Sequence, residues 1–141
     1  MTARSRAREV AFQVLYQDDM NPRGNPAFGD LLIEERLGKG ALAEFARGLV
    51  AGVRLNRGEV DALLERSADN WSLGRMSSTD RNVLRLGAYE LLHGDAPPAV
   101  VIDEAIELAK RFGAAQSSQF VNGILDKVFR GNAECRNSNA E

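Results

Sequence analysis

Apolar residues recur three and four positions apart along most of this chain, the spacing of helices that bury one face. Ala7, Val10, Ala11, Val14 and Leu15 mark a first helix, starting between Thr2 and Ser5 and ending near Met20. The segment NPRGNPAFGD at 21–30 is turn chemistry, with two Asn-Pro steps and two glycines. A short helix over about 27–37 then offers Phe28, Leu31, Leu32 and Leu37 to a core. After Gly38 and Gly40, the residues Leu42, Phe45, Ala46, Leu49, Val50 and Val53 give the cleanest stripe in the chain. Asn56 with Glu59 reads as a capping box for a helix carrying Val60, Leu63, Leu64 and Ala68 inward.

Residues 69–79 break the pattern. Trp71, Leu73 and Met76 are expected beneath that break, joining two helical subdomains, with Trp71 as packing. Ser77 with Asp80 forms a second capping box. The helix from there to about Leu92 is apolar on more than half its circumference, so it is expected between layers, with Gly87 admitting a close neighbour. Pro97 and Pro98 suit the start of the next helix, whose Ile102, Ala105, Ile106, Leu108, Ala109 and Phe112 share a face. Gly113 is expected as a left-handed C-terminal cap. Ser117 or Ser118 then caps a last helix with the stripe Val121, Ile124, Leu125 and Val128. Phe120 lies roughly 90° off that stripe at 100° per residue. Beside Gln116, Gln119 and Asn122 it is an available platform rather than a core residue.

Runs alternating apolar and polar residues are nearly absent, so the fold class is all-α: about seven helices in two subdomains. One folded domain over 1–130 is expected, followed by a polar, disordered tail at 131–141. The formal net charge is −2, which does not suit an indiscriminate polyanion binder. Its distribution says more, because residues 1–8 hold Arg4, Arg6 and Arg8 and no acid. A solvated helix start and a phosphate-binding patch both fit, and composition alone favours the first. Cations at a helix N-terminus oppose the macrodipole, by roughly 0.3–1 kcal/mol each, and an external phosphate relieves that conflict.

Chemistry for catalysis is missing. The single histidine, His93, sits at a helix end, and Asp103, Glu104 and Glu107 fall in a first turn where the dipole favours acids. There is no Gly-rich phosphate loop, nucleophile elbow or HExxH motif, and Cys135 stands alone without zinc spacing. No enzyme, metal or cofactor is expected. Lacking a membrane-length apolar run or a hydrophobic leader, the chain is expected in the cytoplasm. What remains is recognition, since single-stranded RNA is held by cations along its backbone and by rings that stack its bases.

Three blocks carry a family resemblance: RAREVAFQVLYQ at 6–17, RNVLRLGAYEL at 81–91, and DEAIELAKRFG with FVNGILDKV across 103–128. In register and in order, they resemble the NusB family of transcription antitermination factors from about Arg4 to Val128. The resemblance implies two small helical bundles that bind the boxA element of nascent ribosomal RNA leaders. It implies NusE, a small-subunit ribosomal protein, as partner within an RNA polymerase antitermination complex. It places RNA contacts at Arg4, Arg6, Arg8, Tyr16, Gln116, Gln119 and Phe120, and a NusE-facing acid at Asp80. Gln116 stands where the family often has an acid, and Ser5 interrupts the arginine cluster. Pairing with a second copy, as a homodimer, is compatible with the family. Two rivals are a scaffold that reaches RNA only through NusE, and the NusB-like domain of a ribosomal RNA cytosine methyltransferase. A chain of 141 residues is expected to be too short for the catalytic domain the latter needs.

Overall fold

The computed structural model describes the backbone of residues 2–69 and 71–139, and side chains through residue 132. Its described residues form seven α-helices and one short 3₁₀ turn, in two compact units. No helix among them is long and apolar enough to cross a membrane. The units divide at Leu55, between the third and fourth helices, rather than at the 69–79 break.

The first unit holds α1 (Ala3–Met20), α2 (Ala27–Leu37) and α3 (Ala41–Leu55), each packed on the other two. Thr2 caps α1, its hydroxyl accepting from the Ser5 amide at 3.0 Å. The α1 face expected in the core is buried as read, with Phe12 added. The stripe of α3 is buried at Ala46, Leu49, Val50 and Val53, while Leu42 and Phe45 sit half-buried at its edge. In α2 two of the four expected inward residues are misplaced, while Leu32 and Leu37 are half-buried. Phe28 and Leu31 are 63% and 59% exposed, and Gly29 with Ile33 lies inside. An eleven-residue helix touches its neighbours along one narrow line, which here runs through the i, i+4 pair 29 and 33.

The second unit holds α4 (Arg57–Ser67), the 3₁₀ turn Leu73–Arg75, α5 (Ser78–His93), α6 (Pro98–Phe112) and α7 (Ser117–Asn139). Here α5 meets α4, α6 and α7, so it is enclosed as its apolar girth predicts. A Cβ on Gly87 would lie 2.8 Å from Leu125 Cδ1, which explains the glycine. Polar residues are also buried on α5. Arg85 makes a two-pronged bond to Asp61 on α4, Nε to Oδ1 at 2.8 Å and Nη2 to Oδ2 at 3.1 Å. Ser77 Oγ accepts from the Asp80 amide at 3.1 Å, as the capping box requires.

Several local expectations are corrected. Asn56 occupies the N-cap of α4 but its side chain makes no capping bond, and Glu59 instead meets His93 Nε2 at 2.9 Å. Gly113 is extended, with φ −96°, not left-handed. It is needed for space, since a Cβ there would fall 2.5 Å from Ser117 Oγ. That hydroxyl accepts from the Ala114 amide at 2.9 Å, tightening the α6–α7 link instead of capping α7. The first carbonyl accepting within α7 is that of Gln116, from the Phe120 amide. Leu73 and Met76 are buried, but Trp71 is 54% exposed. Phe112 reaches only the rim, and Val101 takes a core place that the pattern did not name. The α7 backbone continues to Asn139, beyond the limit of the expected folded domain at residue 130. Adding one residue to an existing helix gains a hydrogen bond, so propagation into a polar segment needs no buried face. The Cys135 side chain lies outside the described residues.

Arg85 is buried and Asp61 half-buried, so removing Asp61 leaves an enclosed guanidinium without its carboxylate. Asp61→Ala is expected to lower unfolding free energy by about 3 kcal/mol. In the Asp61→Ala, Arg85→Met double variant most of that loss should return. Urea unfolding of the three proteins checks this, and equal loss in single and double variants would remove the pair as the cause.

Candidate nucleic-acid interface

The arginines of α1 do not form one edge. Arg4 and Arg8 are one helical turn apart and share a face, whereas Arg6 lies roughly 200° from Arg4. On α3, Phe45 meets the first two, with Arg4 Cζ 4.6 Å and Arg8 Cζ 5.3 Å from its ring centroid. Arg8 is only 3% exposed, which corrects its reading as a surface cation. Its guanidinium lies over the Phe45 ring while the side chain as a whole is buried. Arg4, one turn closer to the helix end, is exposed.

Arg6 has an internal partner. Its Nη2 donates to the Arg36 carbonyl at 3.2 Å, in the last turn of α2. Carbonyls there carry the negative end of the α2 dipole, so this unit relieves part of its own N-terminal charge conflict. Arg36 in turn donates to Gln13 Oε1 at 3.0 Å. Tyr16 is 36% exposed and tilted against Phe12, ring centroids 6.2 Å apart. Twelve residues of helix separate it from Arg4, roughly 18 Å along the axis. It belongs to a different part of the unit, with Met20, Asn25 and Phe28 around a pocket of about 200 Å³.

In the second unit, Phe120 is half-buried at the start of α7, with Gln116 and Gln119 exposed beside it. Its ring meets Trp71 nearly edge to face, centroids 5.7 Å apart and planes at 76°. The two rings border an open cleft of about 340 Å³ between the end of α4 and α7. Ala68 and Ile124 line it, and Lys127 at its rim is hydrogen-bonded to Asp69. That bond and the ammonium charge hold the Asp69 carboxyl below its ordinary range. Trp71 and Lys127 line the cleft beside Phe120, though neither was assigned to a site from the sequence pattern. Lys127 had a signal, since it follows Phe120 by seven residues and returns to within roughly 20° of it on the helix. Trp71 had none, because a ring in a loop has no periodicity to follow.

Asp80 is half-buried in the first turn of α5, where its amide serves the Ser77 cap. One carboxylate oxygen, Oδ1, is enclosed without a hydrogen-bond partner among the described residues. Taken separately, the first unit offers an exposed cation and a ring, and the second offers rings, amides and a cation, the groups that hold single-stranded RNA.

Known proteins place the chain further. A model of the NusB family matches residues 5–130. Transcription antitermination protein NusB of Anaeromyxobacter dehalogenans (strain 2CP-1 / ATCC BAA-258) is 46% identical over 129 residues, 91% of this chain and 91% of that protein. T. maritima NusB is similar in structure with a TM-score of 0.82 at 41% identity, covering 92% of each chain. A structure of antitermination factors NusB and NusE in complex with dsRNA gives 0.82 at 30% identity, covering 93% of this chain and 98% of its match.

Burial separates the two arginines that share a face. Arg8→Ala is expected to destabilise the protein by about 1–3 kcal/mol through lost packing and lost partners. Arg4→Ala should cost about 0.5–1 kcal/mol, the worth of an exposed cation–ring contact. Thermal unfolding followed by circular dichroism ranks them, and the reverse order would refute the burial argument.

Proposed function

The chain belongs to the NusB family, and from that premise we propose that it binds the boxA element of nascent ribosomal RNA leader transcripts together with NusE, within a complex that keeps RNA polymerase from terminating. The observation that carries the reading is the start of α7. A half-buried ring, Phe120, stands there beside two exposed amides, Gln116 and Gln119, on a rigid helix. Unpaired bases stack on such rings, and amides read base edges. In the first unit the exposed Arg4 is the phosphate contact, Arg6 joins it by leaving the Arg36 carbonyl, and Tyr16 supplies a further ring surface. Arg8 supports Phe45 from within and does not touch RNA. Asp80 faces NusE. The chain makes and breaks no bond, and it works in the cytoplasm where transcripts emerge.

A second reading has an observation in its favour. Arg6 and Arg8 are both engaged inside the first unit, which suits a scaffold that reaches RNA only through NusE. Binding of the isolated chain to boxA RNA, to a scrambled strand and to a duplex, each with and without NusE, separates the two. Direct binding predicts preference for the unpaired boxA strand without NusE, and its absence would leave the scaffold. Self-association measured in parallel shows whether a homodimer competes.

For direct binding, Phe120→Ala should weaken boxA affinity by about 1–3 kcal/mol. Arg4→Ala should flatten the dependence of log affinity on log salt by about 0.7. Arg8→Ala, once its stability loss is allowed for, should leave that slope alone. Fluorescence anisotropy at several salt concentrations reads all three. Wild-type affinity in the folded Phe120 variant would take that ring out of the site.

A further inference from the structure

The cleft beside Phe120 holds more chemistry than one stacked ring requires. Trp71 is more than half exposed, held in a turn by its amide bond to the Ala68 carbonyl at 2.7 Å. Its contact with Phe120 is edge to face. Such a contact covers a face of one ring only, so the pair still presents open aromatic surface. The volume, about 340 Å³, is at the small end of ligand sites, suited to a single heteroaromatic ring system. Gln119 brings an amide to the same wall, and Lys127 brings a cation to the rim. That cation is matched to Asp69, an exposed carboxylate that no other feature of the cleft requires.

We propose that this cleft receives one unstacked nucleobase of a single-stranded RNA, stacked on Trp71 beside Phe120, while Lys127 exchanges Asp69 for the adjoining phosphate. The proposal rests on the direct RNA-binding reading above and extends it to Trp71, Lys127 and Asp69, to which the resemblance assigns no role. Exchange of one exposed anion for another leaves the charge balance of Lys127 unchanged, so Asp69 competes with the phosphate and holds affinity down. Both ingredients, a ring face and a cation one phosphate away, are what sequence-tolerant strand binding uses.

Trp71 is the single tryptophan of the chain, so indole emission reports this cleft alone. The full chain is titrated with an unpaired boxA strand and with an abasic strand of equal length, reading emission and anisotropy together. The base-bearing strand should quench Trp71 in step with binding, and the abasic strand should bind more weakly without quenching. Trp71→Ala should weaken binding by about 5- to 150-fold, with Trp71→Phe keeping most of the affinity. Lys127→Gln should flatten the salt slope by about 0.7, and Asp69→Asn should tighten binding. If the strand binds and Phe120→Ala weakens it while Trp71 emission and the Trp71→Ala affinity stay unchanged, this cleft is wrong and direct RNA binding stands. If wild-type chain binds no strand at all, both fall.

Discussion

The seating of Leu125 against Gly87 is the constraint on which the second unit depends. With no side chain on Gly87, α7 approaches α5 closely enough for Leu125 to fill the space a Cβ would need. This contact fixes the roll of α7 about its own axis. Val121, Ile124 and Val128 then turn inward with Leu125, and every other position on the helix has its direction decided. Phe120 falls on the flank, and Gln116 and Lys127, within roughly 40° of it, fall on the same side. The proposed recognition face is therefore a by-product of core packing. A helix free to roll by one residue's angle would bury the ring and lose the face.

The first unit shows the opposite logic, because there a charged cluster is partly used up by the fold. Three arginines opening a helix oppose its dipole, and the structure distributes them among distinct solutions. Arg8 is buried over Phe45, Arg6 reaches the negative end of α2, and Arg4 remains exposed over the same ring. Counting charges in the sequence overstates the cationic edge, since a buried guanidinium meets no phosphate. Stacking of Arg4 on Phe45 also has a positive consequence. A planar cation held on a ring has fewer orientations to lose when it meets an anion.

Helix positions, the α5 layer and the flank position of Phe120 were legible in the sequence because each is a consequence of angular spacing. What escaped depended on contacts between segments. Phe28 and Leu31 read as core since they are apolar, but the line of contact for α2 is chosen by α1 and α3. Gly113 read as a left-handed cap since glycine there usually is one, while its role is to leave room for the Ser117 hydroxyl. Asn56 and Glu59 have capping-box spacing, yet Glu59 pairs with His93, thirty-four residues on. Trp71 read as packing because tryptophan in a link usually packs.

The exposure of Trp71 bears on how the proposed site can be found at all. A loop tryptophan left more than half exposed forgoes apolar burial, which at roughly 25 cal/mol per Å² is a substantial loss for so large a ring. The polar neighbours do not recover it, because Asp69 and Lys127 bond to each other and not to the indole. Folding alone therefore gives no reason for the exposure. Phe120, edge-on to it, is in the same position on a helix whose core face is already complete. Two rings withheld from the core by independent causes, a turn in one case and helix roll in the other, meet at one cleft. Packing uses only part of either ring, since Trp71 is more than half exposed and Phe120 half-buried. The proposed recognition of a flat, unpaired base gives both rings a use that packing does not.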